Sequence, residues 1–306
     1  MSRIYLTYDN KSLQDGFFAQ TQRILAIISL AKFLKFDYLH SPILDLTITQ
    51  LDEFQSEQEV AKFLEKSEKI FNFPPHDSKP TFSAIYNFGI PKITDLLLIK
   101  IKYFFSKKNV LVKIVNPYRI IEKFPSIYNV TQSVQNEFNT GNSQKHQMIV
   151  AHVRRGINIH HVTPGENSER ILDENYFIDL IRKIIRVNPR ITELIILTDA
   201  PENDFFYKPI AKDNDKWEEF NYLKSSDGVL IQGHRFEQII ASFPGSTTII
   251  RGGDIFQALE LIRSADYFLM SRSSMSFVGA LLNKSGVIYY PPNFWHKPLK
   301  NWIKCS

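Results

Sequence analysis

The stretch HVRRG, residues 152–156, places a histidine and two arginines at the end of an apolar run. A guanidinium presents a planar fork of N–H donors that matches a phosphate group and keeps its charge at physiological pH. Side chains alternate along a strand, so His152 and Arg154 point to one face and Arg155 to the other. Arg154 is therefore a candidate pyrophosphate clamp, with a structural salt bridge as the alternative, and Arg155 is expected to brace the fold.

Three further polar groups end apolar runs in the same half of the chain. SRSSMS, residues 271–276, leads into a helix pattern, and hydroxyl groups and free backbone N–H groups at a helix start suit a phosphate. RGGD, residues 251–254, has two glycines where backbone can approach a ligand, followed by the carboxylate of Asp254. Asp199 ends another run. Capping, turn formation or loop ordering is the alternative for each group.

The elements that must position these residues are short apolar runs typical of buried parallel strands. They lie at 148–153, 193–198, 228–232, 247–250, 266–271 and 286–290. Helix patterns between several of them begin with cap residues, which are Asp173 and Glu174, Asp254, and Ser273 and Ser274. Alternating strands and helices predict a doubly wound α/β domain, in which ligands bind beyond the carboxyl ends of the strands.

The first half of the chain also reads as α/β. A strand at Arg3–Tyr8, a long helix at about Ala19–Phe36 and the strand DYLHSP form a βαβ pattern. Helices are predicted at 57–72 and 91–105, the second rich in both leucine and lysine, and a strand at 110–115. The polar run at 131–147 indicates a boundary, so we expect domains at 1–145 and 146–306.

The composition narrows the class of protein. The chain has 306 residues, 43% of them hydrophobic, which is typical of a globular protein. The single cysteine, Cys305, excludes an intrachain disulfide and a cysteine-based zinc site. The N-terminus lacks a signal-peptide pattern, and the most apolar helical stretch, Ile24–Leu34, contains Lys32 and is shorter than the roughly 20 residues of a membrane span. We expect a cytoplasmic protein.

A formal net charge of +5 allows an anionic ligand, but no nucleic-acid-binding signature is present and no nucleic acid is expected as a partner. The tail NFWHKPLKNWIKCS, at 293–306, has two tryptophans and three lysines. It could make weak peripheral contact with a membrane, or it could pack back across the domain junction.

No metal or other cofactor is expected from the residue spacing. Asp213 and Asp215 form a D-x-D pair, but this pair lies in a charged stretch that reads as a solvated loop. His160 and His161 are adjacent and lack the spacing that places two ligands on one helix face.

Four stretches, in this order along the chain, together resemble the fucosyltransferase superfamily that includes α1,2-, α1,6- and protein O-fucosyltransferases. Residues 15–42 look like its N-terminal G-x-G-N-Q turn and helix, and HVRRG looks like its H-x-R-R-x-D motif. LTDAPEND, at 197–204, resembles its strand-end aspartate segment, and residues 252–283 resemble its C-terminal donor-binding segment.

The resemblance implies a GT-B fold, with two Rossmann-like domains facing across a cleft. The first domain would be the acceptor side, and the second would hold a nucleotide sugar, typically GDP-fucose. The implied reaction is an inverting, metal-independent transfer of the sugar to a hydroxyl of a glycan or glycoconjugate acceptor. On this pattern Arg154 grips the pyrophosphate. The donor-binding residues are His152, Arg154, Arg155, Asp199, Asp254, Ser273, Ser274, Met275, Gly16 and Gln20.

The sequence departs from that pattern at two places. Ile157 stands where the motif has an acidic residue, and Phe18 and Ala19 stand where the N-terminal turn has Gly and Asn. The motif assigns no general base; His160, His161 and Glu166, in the loop after the arginines, are the candidates. The alternatives are a catalytically inactive nucleotide- or glycan-binding module and a transferase that uses another nucleotide donor.

Overall fold

The chain divides into two compact units in a computed structural model. Unit 1 comprises Met1–Thr140 and His296–Lys300, and unit 2 comprises Gly141–Trp295 and Asn301–Ser306. The predicted boundary after residue 145 lies outside the residues that the structure describes. These are 3–9, 16–43, 56–71, 73, 80–124, 147–155, 171–207, 229–231 and 233–305.

Unit 1 contains a four-stranded parallel sheet flanked by helices, as the βαβ pattern predicts. Its elements in chain order are β1 (Ile4–Tyr8), α1 (Phe17–Leu34), β2 (Asp37–Tyr38), α2 (Glu57–Ile70), β3 (Ala84–Phe88), α3 (Ile93–Tyr103), β4 (Val110–Ile114) and α4 (Tyr118–Ile121). The strand order is β2-β1-β4-β3, so β3 is an edge strand. Residues 296–300 join this unit through the ring of His296, whose centroid lies 4.4 Å from that of Tyr118.

Helix α1 is the core helix of unit 1. It is long and apolar enough for a membrane span by length and composition alone, with a mean hydropathy of 1.2, but 78% of it is buried inside the protein. A helix that is apolar on all sides is expected to be buried in this way. The hydroxyl groups of Thr21 and Ser29 donate to backbone carbonyls four residues earlier, so these polar side chains are satisfied within the helix.

Unit 2 contains a six-stranded parallel sheet in the order β12-β11-β10-β5-β6-β9. The elements in chain order are β5 (Met148–His152), α5 (Glu174–Val187), β6 (Glu193–Thr198), β7 (Phe205–Tyr207), β8 (Val229–Ile231), α6 (Glu237–Ala241), β9 (Ser246–Arg251), α7 (Ile255–Ser264), β10 (Tyr267–Leu269), α8 (Ser274–Leu282), β11 (Val287–Tyr290) and β12 (Ile303–Lys304). The predicted α/β class is therefore confirmed, with a parallel sheet in each unit.

The strands of unit 2 form its core with one face of α5. Ile149 and Leu194 are fully buried, and so are Phe177 and Ile181 of the helix. Three predicted cap positions are confirmed: Asp173, Asp254 and Ser273 each accept a hydrogen bond from a backbone N–H in the first turn of the following helix. These caps fix the point at which each helix leaves the end of the preceding strand or loop.

The structure corrects the prediction for the apolar run at 228–232. Its strand, β8, pairs antiparallel with β7 in a separate two-stranded sheet. It does not join the parallel sheet, where β6 already has β5 on one side and β9 on the other. The edge strand β12, next to β11, is too short to give a recognisable pattern in the sequence.

Candidate functional site

The carboxyl ends of the parallel strands in unit 2 lie along one edge of the sheet, which we call the strand-end edge. The sites of parallel α/β sheets form at such edges. The segment after β5 carries Arg154 and Arg155, the segment after β6 carries Asp199, and that after β9 carries Gly252 and Gly253. The segment after β10 is SRSS, which begins α8.

A buried cluster of one imidazole and three hydroxyl groups joins the ends of β5 and β10. His152 Nδ1 lies 2.6 Å from the Oγ of Ser276, 3.1 Å from that of Ser271 and 3.4 Å from that of Ser273. The Oγ atoms of Ser271 and Ser276 are 3.0 Å apart. We call these four residues the imidazole–hydroxyl cluster. Because strand β10 is the direct neighbour of β5, the cluster holds the start of α8 beside the residues that follow His152.

The imidazole of His152 is neutral at physiological pH. Its pKa is lowered to about 4, mainly by burial; the charge of Asp199 opposes this shift, and the charge of Arg154 contributes to it. A neutral ring can accept or donate one hydrogen bond at Nδ1 without adding a buried charge. The neutral ring of His152 therefore links the end of β5 to the serines at the start of α8.

The first turn of α8 presents backbone donors at this edge. The Ser273 hydroxyl accepts a hydrogen bond from the Ser276 N–H at 3.1 Å, and the Ser276 Oγ accepts one from the Ser271 N–H, also at 3.1 Å. The hydroxyl groups of Ser273 and Ser276 are thus engaged inside the cluster. Ser274 and Met275 are half-buried, and their N–H groups occupy the first two positions of the helix, where no intrahelical acceptor exists.

Arg155 is buried and ties the ends of two strands together. Its backbone N–H donates to Asp199 Oδ1 at 2.6 Å, and its Nη1 donates to the carbonyl of Arg154 at 2.9 Å. Burial lowers the pKa of its guanidinium, whereas the carboxylates of Glu174, Asp199 and Asp173 raise it. Asp199 is exposed, so its carboxylate orders the β5 end while remaining open to solvent.

Arg154 is half-buried and follows the last residue of β5 by two positions. Its charge reaches the imidazole of His152, whose pKa it lowers. His152 also contacts the serines that open α8, so Arg154 follows by two residues a side chain that contacts the start of this helix. A cation and a helix N-terminus both favour an anionic ligand.

The end of β9 combines a structural arginine with a left-handed turn. Arg251 Nη1 donates to the carbonyls of Ala200 and Pro201 at 3.0 and 3.1 Å, which fixes the loop after β6. Gly252 and Gly253 have φ values of 59° and 81°, a region that favours glycine. Asp254 follows, and its Oδ1 accepts a hydrogen bond from the Phe256 N–H at 2.9 Å.

An open cavity of about 480 Å³ lies in unit 2 near the loop before α6. In it, His234 Nε2 forms a hydrogen bond with the carboxylate of Glu174. Four acidic side chains line the cavity against one arginine, so its charge is unfavourable for a diphosphate. The lining residues are Glu174, Glu202, Asn203, Asp204, Gly233, His234, Arg235, Phe236, Glu237 and Gln238.

The other predicted site residues belong to unit 1 or lie outside the described residues. In unit 1, the carbonyl of Gly16 accepts the backbone N–H of Gln20 at 3.1 Å, and the Gln20 side chain is buried in α1. His160, His161 and Glu166 lie outside the described residues, as do Ile157, Asp213 and Asp215. Within the described ranges no group of three or more His, Cys, Asp or Glu side chains is arranged to hold a metal ion.

The sequence did not reveal the imidazole–hydroxyl cluster. The sequence predicts Ser273 as a phosphate ligand or a cap; its hydroxyl caps α8 and also faces the cluster. One signal exists in SSMS, at 273–276, because a polar side chain three residues after an N-cap can turn back to accept a backbone N–H at the helix start, as Ser276 does from Ser271. Nothing in the sequence shows that the partner of Ser276 is His152, which is 124 residues away.

Comparison with known proteins finds distant likeness among solved structures only. No protein-family model and no curated protein matches the chain. E. coli heptosyltransferase WaaC with ADP-2-deoxy-2-fluoro heptose matches with a TM-score of 0.39 and 10% identity, over 100% of this chain and 93% of that one. POFUT1 in complex with GDP matches with a TM-score of 0.43 and 9% identity, over 93% and 96%.

Proposed function

We propose that the chain is an inverting, metal-independent glycosyltransferase built on the GT-B plan. In this proposal, unit 2 binds a nucleotide-sugar donor, GDP-fucose, and the sugar passes to a hydroxyl of a glycan or glycoconjugate acceptor. The observation that carries the proposal is the strand-end edge, where the imidazole–hydroxyl cluster holds the N-terminus of α8 beside His152, two residues before Arg154. The resemblance of the same segments to fucosyltransferase motifs supports the choice of donor.

The strand-end edge has the chemistry that a departing nucleoside diphosphate requires. Negative charge grows on the leaving diphosphate as the bond to the sugar breaks, and fixed donors aimed at that charge lower the barrier. The guanidinium of Arg154 supplies positive charge and paired donors, and the N–H groups of Ser274 and Met275 add the positive end of a helix dipole. An arginine in this position can neutralise the charge that a metal ion would otherwise neutralise.

The neutral, buried state of His152 helps to keep these donors in place. Its contacts with Ser271 and Ser276 fix the segment between β10 and α8, so the N–H groups need no reorganisation when the donor binds. The left-handed glycines after β9 lead into Asp254, which we propose as the contact to the guanosine part of the donor.

We propose that the acceptor hydroxyl loses its proton to a base in the loop after Arg155. His160, His161 and Glu166 are the candidates from the sequence. Inversion follows because the hydroxyl attacks the anomeric carbon on the side opposite the departing diphosphate.

The first test is donor binding by isothermal titration calorimetry with GDP and GDP-fucose. Charge-assisted hydrogen bonds contribute about 1.5–3 kcal/mol, so we expect Arg154→Ala to weaken GDP binding by about tenfold to a hundredfold. The matched control is Arg182→Ala, which removes an exposed arginine from the middle of α5. Equal affinity for GDP in the parent and Arg154→Ala would refute the clamp.

The second test is donor hydrolysis, followed by mass spectrometry across a panel of GDP-, UDP- and ADP-sugars with and without EDTA. We expect GDP-fucose to be hydrolysed slowly, at a rate that EDTA does not change. Loss of hydrolysis in EDTA would refute metal independence. Tight GDP binding without hydrolysis or transfer would instead identify an inactive binding module. Faster hydrolysis of a UDP- or ADP-sugar would show that GDP-fucose is not the donor.

A further inference from the structure

Helix α3 of unit 1 is apolar on two opposite sides. Leu96 and Ile99 are buried, which is the ordinary behaviour of a helix that packs on a sheet. The opposite side of a surface helix normally carries charged and polar residues. In α3 and the turn that follows it, that side instead carries five large apolar side chains, which we call the α3 stripe: Leu97, Leu98, Ile101, Phe104 and Phe105.

The α3 stripe is continuous and strongly exposed. At 3.6 residues per turn its members fall within an arc of about 120°, and the helix is about 16 Å long. The exposed fractions are 64% for Leu98, 71% for Ile101 and 94% for Phe105. The rings of Phe104 and Phe105 lie edge to face, 4.9 Å apart, at the end of the helix. Contiguous apolar surface of this kind marks an interaction site.

Positive charge surrounds the stripe. Residues 92–124 contain eight Lys and Arg residues against two acidic ones, Asp95 and Glu122, so this segment alone carries more positive charge than the net +5 of the whole chain. Lys107 and Lys108 follow Phe105 directly.

At the other end of α3, three exposed cations surround a small cavity of about 130 Å³. They are Lys92, Arg119 and Lys123, with the apolar side chains of Ile120 and Phe124 beside them. The carboxylate of Asp95 offsets one of these three charges, and its Oδ2 accepts the Lys92 backbone N–H at 2.7 Å.

We propose that unit 1 docks on the surface of an anionic phospholipid bilayer through the α3 stripe. The apolar side chains enter the boundary between headgroups and acyl chains, and the lysines and arginines at both ends of the helix contact lipid phosphates. Peripheral membrane helices combine these two features, an apolar face and a basic rim. A second copy of the chain is a poorer occupant, since a two-fold dimer through this stripe would oppose two basic rims.

The docking surface differs from the tail at 293–306 that the sequence suggested. Trp302 of the tail is buried, with its ring centroid 5.3 Å from that of Phe277, so the two tail tryptophans do not form a shared exposed surface. Trp295 is partly exposed. The variant Trp295→Ser therefore tests, in the same experiment, whether the tail contributes to membrane binding.

The test is flotation of the full chain with vesicles of phosphatidylcholine alone and with vesicles in which about one third of the lipid is phosphatidylglycerol. We expect binding to the anionic vesicles, release as salt is raised, and little binding to phosphatidylcholine. The double variant Ile101→Ser/Phe105→Ser should lower the partition coefficient at least about tenfold. Lys107→Gln/Lys108→Gln should lower it in low salt and make the remainder less sensitive to salt.

The matched control is Val187→Ser, which removes a side chain that is 77% exposed at the end of α5 in unit 2. Neither this variant nor Trp295→Ser should change vesicle binding. The substituted side chains are on the surface, and urea denaturation checks that each variant folds with parental stability. Absence of binding to anionic vesicles, or equal binding by parent and double variant, would overturn the proposal. A third result would also overturn it: the parent binds no vesicles but self-associates in sedimentation velocity, and the double variant does not self-associate. The stripe would then join two copies of the chain.

Discussion

Acidification below about pH 6.5 should destabilise unit 2 because His152 is buried as a neutral imidazole. Burial lowers its pKa to about 4, whereas an imidazole in an unfolded chain titrates near about 6.5. Between these values the unfolded chain binds a proton that the folded chain does not. The free energy of unfolding therefore falls as the pH is lowered from about 6.5 and levels off below about 4.

The size of this effect follows from the same two pKa values. At pH 5 almost all unfolded imidazoles are protonated, but only about a tenth of the folded ones are, which lowers the free energy of unfolding by about 2 kcal/mol relative to pH 7.5. That loss is large compared with the roughly 5–15 kcal/mol that stabilises a typical domain. The molecular cause is a positive charge placed among the hydroxyl groups of Ser271, Ser273 and Ser276.

The assay is urea denaturation at pH 7.5 and pH 5, followed by tryptophan fluorescence, with Trp302 as a buried reporter in unit 2. His152→Asn removes the titrating group, so its loss of stability between the two pH values should be smaller than the parent's by about 2 kcal/mol. Burial also lowers the pKa of His296 in unit 1, to about 3. His296→Asn is therefore the control variant, because the titration of His296 affects the stability of unit 1. The same pH dependence in the parent and His152→Asn would refute the reasoning.

Two further substitutions test the packing around α7 and α8. Asn283→Ala should lower the free energy of unfolding, measured by urea denaturation, by about 3 kcal/mol. The buried amide of Asn283 donates to the carbonyls of Ile262 and Ala265 and accepts the N–H of Gly286, and the substitution removes all three hydrogen bonds. A loss below about 1 kcal/mol would contradict this prediction. Gly279→Ala should lower the free energy of unfolding by about 1–3 kcal/mol, because the added Cβ would lie 2.9 Å from two carbon atoms of Ile262. Unchanged stability would show that the isoleucine side chain moves aside.

The strands and caps could be predicted because their signals are local. Buried parallel strands need apolar residues on both faces, so β5 and β6 appear as short apolar runs in the sequence. A cap needs only one polar side chain before a helix, and Asp173, Asp254 and Ser273 meet that requirement. The pairing of a strand is not local, and the run at β8 therefore joins β7 without any sign in its own residues.

The sequence predicts that the candidate residues share one edge of a sheet, but it does not predict which atoms they contact. The rule that ligands bind beyond strand ends selects Arg154, Asp199 and the SRSSMS segment from the sequence. The contact between His152 and Ser271 requires β5 and β10 to be neighbours, and 119 residues separate these two side chains. The exposure of the α3 stripe could not be predicted either. The predicted helix at 91–105 is apolar on two sides, and periodicity alone does not show which side packs against the rest of the unit.

The return of residues 296–300 to unit 1 means that neither unit is a single stretch of chain. His296 packs on Tyr118, and its Nδ1 lies 3.9 Å from Glu122 Oε1. The next residues re-enter unit 2, where β12 becomes the edge of the six-stranded sheet. A fragment that stops at residue 145 therefore lacks a piece of its own packing. Removal of the last eleven residues would damage both units at once, although almost all of the chain would remain.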